Sequence, residues 1–221
     1  MGHGKLVIVE GLIGAGKSSF CAELGNQLRN AHVFLEPDEQ TEESNPYLAD
    51  FYGDPERWAF TMQIHLMQSR YRTHLQAQQV IKLYEVDAVI DRSIYGDVCF
   101  ARLQRDLGTM PEREFQTYLD LYESLLAPNI KQPDICVWLN VSVDIAFKRV
   151  LSRMEQREGR RCEAAIDKDY LFALDEKIKS TVQELSSQGV EIIEIPWDDN
   201  RPEPTDRLQY VQQVANQTLH V

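Results

Sequence analysis

The sequence predicts an α/β fold, a five-stranded parallel sheet flanked by helices on both faces. Three observations carry that expectation. Short β-rich runs recur at Lys5–Glu10, His32–Glu36, Ala88–Asp91, Ile135–Asn140 and Val190–Ile195, with longer stretches of helical spacing or composition between them. Such alternation implies crossover connections, and so parallel strands. The first run leads directly into Gly11-Leu12-Ile13-Gly14-Ala15-Gly16-Lys17-Ser18, the spacing of a phosphate-binding loop. Finally, 221 residues with 43% hydrophobic and 26% charged content suit one globular domain, 1–221, with a proper core.

The loop is the first element to justify. Glycines at 11, 14 and 16, with only Ala15 between the last two, let backbone N–H groups crowd around a polyphosphate where a Cβ would clash. The helix that follows, from about Ser18 to Arg29 with Ser19 in its first turn, aims the positive end of its dipole at the same anion. Lys17 then reaches the outer phosphates and the Ser18 hydroxyl ligates Mg²⁺. A chance glycine-rich turn is the plain alternative, and the strand before and helix after weigh against it. The fold is therefore expected to be P-loop NTPase-type. Mg²⁺ with ATP, or another nucleoside triphosphate, is the expected phosphate donor.

The second strand leads to Glu36-Pro37, and an acidic loop follows from Asp38 to Asn45. Asn45-Pro46 opens a short segment to Phe51-Tyr52, broken at Gly53-Asp54-Pro55. A long helix is expected from about Pro55 to Leu83, with Trp58, Met62, His65, Leu66 and Met67 on its apolar face. Core packing is the plain reading of Trp58, His65 and Met67. A helix of this length projects beyond the sheet and offers a surface to a second subunit.

Strand three ends in Asp91-Arg92-Ser93, with a helix starting near Ile94. A turn at Leu107–Pro111 precedes a helix over Glu112–Leu126, and Pro128 and Pro133 bracket the approach to strand four. Val137-Trp138-Leu139 in that strand reads as buried. Ser142-Val143-Asp144 starts a helix running to about Arg153 or Met154. Beyond the arginine segment come another helix to about Ser186, the fifth strand, a proline-rich loop around Pro196–Pro204 and a final amphipathic helix.

Arg153, Arg157, Arg160 and Arg161 crowd together in a chain of formal net charge −12. A solvated, salt-bridged helix end is the default for a charge run. In a phosphate-loop protein the segment, about 153–166, also reads as an arginine-rich lid closing positive charge over a transferring phosphoryl group. The acidic balance argues against a general nucleic-acid binder. Cys21, Cys99, Cys136 and Cys162 form no Cys-x-x-Cys pair, which favours reduced, mostly buried thiols. Neither a signal peptide nor an apolar run of membrane-spanning length is evident, so a cytoplasmic location is expected.

Phosphoryl transfer to an alcohol needs a base near the hydroxyl and cations near the transferring group. Glu36 ends strand two, while Asp91 and Arg92 end strand three, where open α/β sheets place their ligands. A structural ion pair is the alternative reading for such residues. Gln63, Arg70 and Asp97 lie on helices expected to flank the same cleft, and together they form a group able to read a nucleobase edge.

In combination, Gly11–Ser18, Glu36-Pro37, Tyr52 through Asp54-Pro55-Glu56-Arg57-Trp58 to Gln63, Asp91-Arg92-Ser93 and the arginine segment resemble the deoxyribonucleoside kinase family that includes deoxycytidine, deoxyguanosine and insect multisubstrate kinases. The likeness extends from the phosphate loop to the helix after the arginines. It implies Glu36 as general base for the nucleoside 5′-hydroxyl, Arg92 as the residue orienting it, and Asp91 with Ser18 as holders of Mg²⁺. Tyr52 and Glu163 match the pair that bonds the sugar 3′-hydroxyl. Gln63 matches the glutamine that reads the base and Phe100 the aromatic that stacks on it, with Met62 counted in the same pocket. Arg70 and Asp97 match the branch accepting deoxycytidine and purine deoxynucleosides, so deoxyadenosine, deoxyguanosine or deoxycytidine is the expected substrate.

Two departures from the family pattern stand out. The chain is one residue shorter between Asp97 and Phe100. It is also one longer in the lid, so Arg160 and Arg161 compete for one phosphate contact, whereas Arg153 and Arg157 carry over directly. The resemblance further implies a homodimer and feedback by a deoxynucleoside triphosphate. A thymidylate-kinase-like monophosphate kinase, or a nucleotide-binding module without transfer, are the rival readings.

Overall fold

Leu6-Val7-Ile8-Val9 is an unbroken apolar run because it forms a strand buried on both faces, and each of the four side chains is fully buried in the computed structural model. The structure describes residues 4–28, 30–36, 45–156, 158–198 and 204–218. This strand, β1 (Leu6–Gly11), lies at the centre of a parallel sheet with β2 (Ala31–Phe34), β3 (Asp87–Asp91), β4 (Ile135–Asn140) and β5 (Glu191–Pro196), in the spatial order β2-β3-β1-β4-β5. The direction of winding reverses around β1, and that reversal opens a crevice at the carboxyl ends of the strands.

Helices cover both faces. Val7 and Val9 point into one core with Phe20 and Leu24 of α1 (Lys17–Gln27), Leu171 and Leu174 of α7 (Lys168–Ser187), and Val211 and Val214 of α8 (Pro204–Thr218). Leu6 and Ile8 point the other way, onto Met67 and Ile81 of α3 (Pro55–Tyr84), Val98 of α4 (Ile94–Asp106), and Phe115 and Tyr118 of α5 (Glu112–Asn129). This alternation along one strand is what a sheet with two covered faces requires. The short α2 (Leu48–Gly53) precedes α3, and α6 (Val143–Gln156) leads into a 3₁₀ helix, Glu158–Ala165.

The start of α3 follows from local chemistry. Asp54 caps it, accepting a bond from the Arg57 N–H, and Pro55 occupies the first turn, where its missing N–H is not needed.

Some boundaries differ from expectation. The edge strand β2 stops at Phe34, paired with Ile90, and β3 ends at Asp91. Glu36 therefore has no ladder to join and lies beyond the strand rather than in it. Helix α5 passes through Pro128 to Asn129. A proline in the last turn removes only one helical bond, so it does not stop the helix at Leu126. Trp58 and His65 are half-buried rather than core residues, and the Arg57 guanidinium covers the Trp58 ring at 4.5 Å. Cys21, Cys99 and Cys136 are buried, Cys162 is partly exposed, and no disulfide joins them.

Candidate active site

A cleft of about 500 Å³ opens at the carboxyl ends of β1 and β3. One wall is the phosphate loop. Gly14 and Gly16 take left-handed backbone conformations, with φ of 79° and 88°. A Cβ on Gly14 would sit 2.5 Å from the Ala146 carbonyl oxygen, so that position tolerates only glycine. Gly11 leads from β1 into the loop, and buried Ala15 closes its turn through a bond from its N–H to the Leu12 carbonyl. Gly16 caps α1, and Ser18 and Ser19 in the first turn line the cleft.

Lys17 is buried and donates to the carbonyls of Gly11 and Leu12, at 3.2 and 2.9 Å. Burial, together with the nearby Arg92 charge, lowers its pKa to about 8. The Ser18 hydroxyl donates to Asp91 Oδ2, while Asp91 Oδ1 is buried with no hydrogen-bond partner. A hydroxyl and a carboxylate side by side, with one carboxylate oxygen unengaged, form a donor set that suits a hard divalent cation. Burial also raises the Asp91 pKa, a strain that a cation would relieve.

The opposite wall is a cluster of arginines and carboxylates. Arg70 of α3 donates through Nη2 to Glu36 Oε1 at 2.7 Å and through Nη1 to Asp97 of α4. The Arg92 Nε lies 3.6 Å from Glu36 Oε2. Burial pushes the Glu36 pKa upward, but the Arg70, Arg92 and Lys17 charges outweigh it and hold the carboxyl at about 2. Arg92 reaches this position from a left-handed backbone, φ 59°. The turn that holds it is braced by Glu10, whose Oε1 accepts from both the N–H and the hydroxyl of Ser93, at 2.9 and 2.6 Å.

Gln63 and Asp97 are fully buried. Gln63 Nε2 donates to Asp97 Oδ2 at 2.7 Å, and the Tyr118 hydroxyl donates to the same oxygen at 2.6 Å. Neither Gln63 nor Asp97 lines the cleft, whereas Arg70 does. The expected base-reading pair thus stands behind Arg70 rather than at the cleft surface, because both residues are consumed by the packing of α3 on α4. Tyr52, Met62 and Phe100 do line the cleft. The Phe100 ring lies under the Arg92 guanidinium, 4.8 Å from its carbon.

At the third side, Arg153 makes a two-pronged ion pair with buried Glu163, the shortest contact being 2.7 Å. The residue expected to touch phosphate and the residue expected to touch the sugar are thus joined to each other. Arg157, and the side chains of Arg160 and Arg161, lie outside the described residues.

Sequence reasoning missed three residues. Arg149 donates to the Ala15 carbonyl at 3.1 Å and to the Trp197 carbonyl at 3.1 Å, tying the phosphate loop to the segment after β5. Its signal was available: positions 149 and 153 stand four residues apart and so share a face of α6. Tyr118 and Glu10 had no signal, being one tyrosine among nine and an ordinary end-of-strand acid.

The sequence profile of the deoxynucleoside kinases matches residues 7–220. The chain belongs to the deoxynucleoside kinase family. Among relatives, a deoxyguanosine kinase of Dictyostelium discoideum is 35% identical over 195 residues, covering 88% of this chain and 65% of that protein. A deoxyadenosine kinase of the same organism is 32% identical, covering 89% and 74% respectively. The Bacillus subtilis (strain 168) deoxyadenosine/deoxycytidine kinase is 34% identical, covering 75% and 70%. Among solved structures, the M. mycoides deoxyadenosine kinase with bound dATP aligns with a TM-score of 0.75 over 96% of this chain and 99% of that one. At 24% identity that match speaks to the fold, which this chain shares. Among its described residues, no helix is long and apolar enough to cross a membrane.

Proposed function

We propose that this deoxynucleoside kinase, working as a single domain, transfers the terminal phosphoryl group of ATP to the 5′-hydroxyl of a deoxyribonucleoside, giving the 5′-monophosphate. One observation carries the reading: the Glu36 carboxylate and the phosphate loop line the same cleft. The 5′-oxygen forms a bond to the γ-phosphorus, the bond to the β–γ bridging oxygen breaks, ADP leaves, and the hydroxyl proton passes to Glu36. Lys17 exchanges its loop carbonyls for the outer phosphates, and Arg92 keeps the Glu36 carboxylate aimed. Ser18 and Asp91 would hold Mg²⁺, which when bound neutralises charge on the donor phosphates.

Tyr52 and Glu163 take the sugar 3′-hydroxyl, and Met62 and Phe100 pack on the base. Glu36 would repel the phosphate of a nucleoside monophosphate, which weighs against the thymidylate-kinase-like alternative. The names of the relatives support deoxyadenosine, deoxyguanosine or deoxycytidine as acceptor. The lid arginines, a homodimer and feedback by a deoxynucleoside triphosphate belong to the same proposal. Sedimentation checks the dimer, and competition of that triphosphate with both substrates checks the feedback.

The decisive experiment is turnover of a panel of deoxy- and ribonucleosides with labelled ATP, by the native chain and by Glu36→Gln. The variant is expected to lose kcat by about two to four orders of magnitude while keeping its ATP affinity. Undiminished phosphorylation by Glu36→Gln would refute the base assignment.

A further inference from the structure

Among the described residues, Arg70 is the one that touches both the expected general base and the expected base-reading acid. Its two carboxylate partners are unequal to it in one respect, because each has other company. Asp97 also accepts from Gln63 and Tyr118, and Glu36 also faces Arg92. Glu36 can therefore release Arg70 and keep Arg92 as its counter-charge, while Asp97 keeps two hydrogen-bond donors in addition to Arg70. Arg70 is the exchangeable member of the cluster. It lines the cleft in front of Asp97 and Gln63, and its Nε and the Gln63 Oε1 are buried without hydrogen-bond partners. A planar ligand edge carrying both donors and acceptors meets Arg70 first.

We infer that Arg70 couples nucleobase recognition to catalysis: a base edge that engages its guanidinium draws it off Glu36 and uncovers that carboxylate for the 5′-hydroxyl. The inference rests on the reading of Glu36 as general base. Its chemical content is that the base is unmasked by the substrate it serves. While Arg70 holds Oε1, the carboxylate is a poor proton acceptor. Once Arg70 turns to the nucleobase, Glu36 is faced by Arg92 on the turn after β3, Lys17 on the phosphate loop and the Asp91 carboxylate, and it becomes more basic. Specificity then appears in kcat and not in KM alone. Arg70 acts here as a positioning residue.

The test compares deoxyadenosine with a deoxynucleoside whose base is an apolar isostere, able to stack but not to hydrogen-bond, using the full chain with Mg²⁺ and ATP. The apolar substrate is expected to lose kcat by about 100-fold in the native enzyme. In Arg70→Met that gap narrows at least tenfold, on the order of the same effect, and the acid limb of kcat/KM moves to higher pH. A purely structural role for Arg70 would lower both substrates alike and leave the acid limb in place. That result, or a native enzyme in which only KM separates the substrates, overturns the inference. Should Arg70→Met fail to fold, a crystal structure of the native chain with deoxyadenosine decides instead. Separation of Arg70 from Glu36 beyond hydrogen-bond reach supports the coupling, and a retained contact overturns it. Native enzyme that phosphorylates no deoxynucleoside would overturn the functional reading itself, and the inference with it.

Discussion

The phosphate loop and the arginine–carboxylate cluster face each other across one cleft, yet they are held in different ways. The loop is eight consecutive residues whose working groups are backbone N–H groups and one lysine. The cluster draws Glu36, Arg70, Arg92 and Asp97 from four separate places in the chain, and its groups engage one another. The loop is shaped by local backbone geometry, whereas the cluster is shaped by the packing of α3 and α4 against the sheet. On the proposed function, a donor site that must grip the same triphosphate tail in every cycle suits the first design. An acceptor site that must distinguish bases would suit the second, since side chains can be exchanged where a backbone cannot.

Substitutions sharpen or break that contrast. Lys17→Met should have the largest effect, lowering kcat/KM by about 10³-fold while leaving deoxynucleoside binding, read by calorimetry, unchanged. Loss of deoxynucleoside binding as well would mean that the two halves are not independent.

Glu36→Gln leaves Arg70 and Arg92 facing each other without their shared counter-charge, so it should lower Tm at pH 7. The folded-state pKa of Glu36, about 2, lies below the ordinary glutamate value of 4.5. Its stabilisation is therefore present above pH 4.5 and fades as pH falls toward 2. The Tm gap between native and variant chains should close over that window, and a pH-independent gap would contradict the electrostatic account.

Gly96→Ala probes the brace behind Arg92. Its Cβ would lie 2.2 Å from a Glu10 carboxylate oxygen, so destabilisation of about 1–3 kcal/mol in urea unfolding is expected, with kcat falling as the Arg92 turn shifts. Tyr118→Phe should have the smallest effect. It removes one donor from Asp97, lowering stability by about 1.5 kcal/mol and raising KM for the nucleoside without touching ATP affinity.

How much of this was legible in the sequence follows the same division. The glycine spacing specifies the loop because the residues that cooperate are neighbours in the chain, and Gly14 and Gly16 take the left-handed backbone that such a turn needs. The parallel sheet and the covering of both its faces were legible from the alternation of short β-rich runs with helical stretches, whereas the spatial order of the strands was not. The cluster was legible only as a set of residue types at strand ends and on helix faces. That Gln63 and Asp97 stand behind Arg70 depends on how closely α3 approaches α4, which no spacing encodes. Tyr118 joins the site from α5, more than twenty residues from any partner it serves, and Arg149 meets the loop and the segment after β5 through backbone carbonyls, which carry no side-chain signature. The helix through Pro128 and the early end of β2 are boundary effects, decided by which hydrogen bonds remain available.

Trp197 packs edge-on against Phe20 of α1, with ring centroids 5.5 Å apart, and its indole nitrogen lies 3.3 Å from where a Cβ on Gly16 would be. Its backbone carbonyl receives Arg149, which also holds the loop at Ala15. A fluorophore is therefore built against the underside of the phosphate loop. The other two tryptophans lie on α3 and β4, so a chain carrying phenylalanine at both would report triphosphate binding through its own emission, with no dye attached.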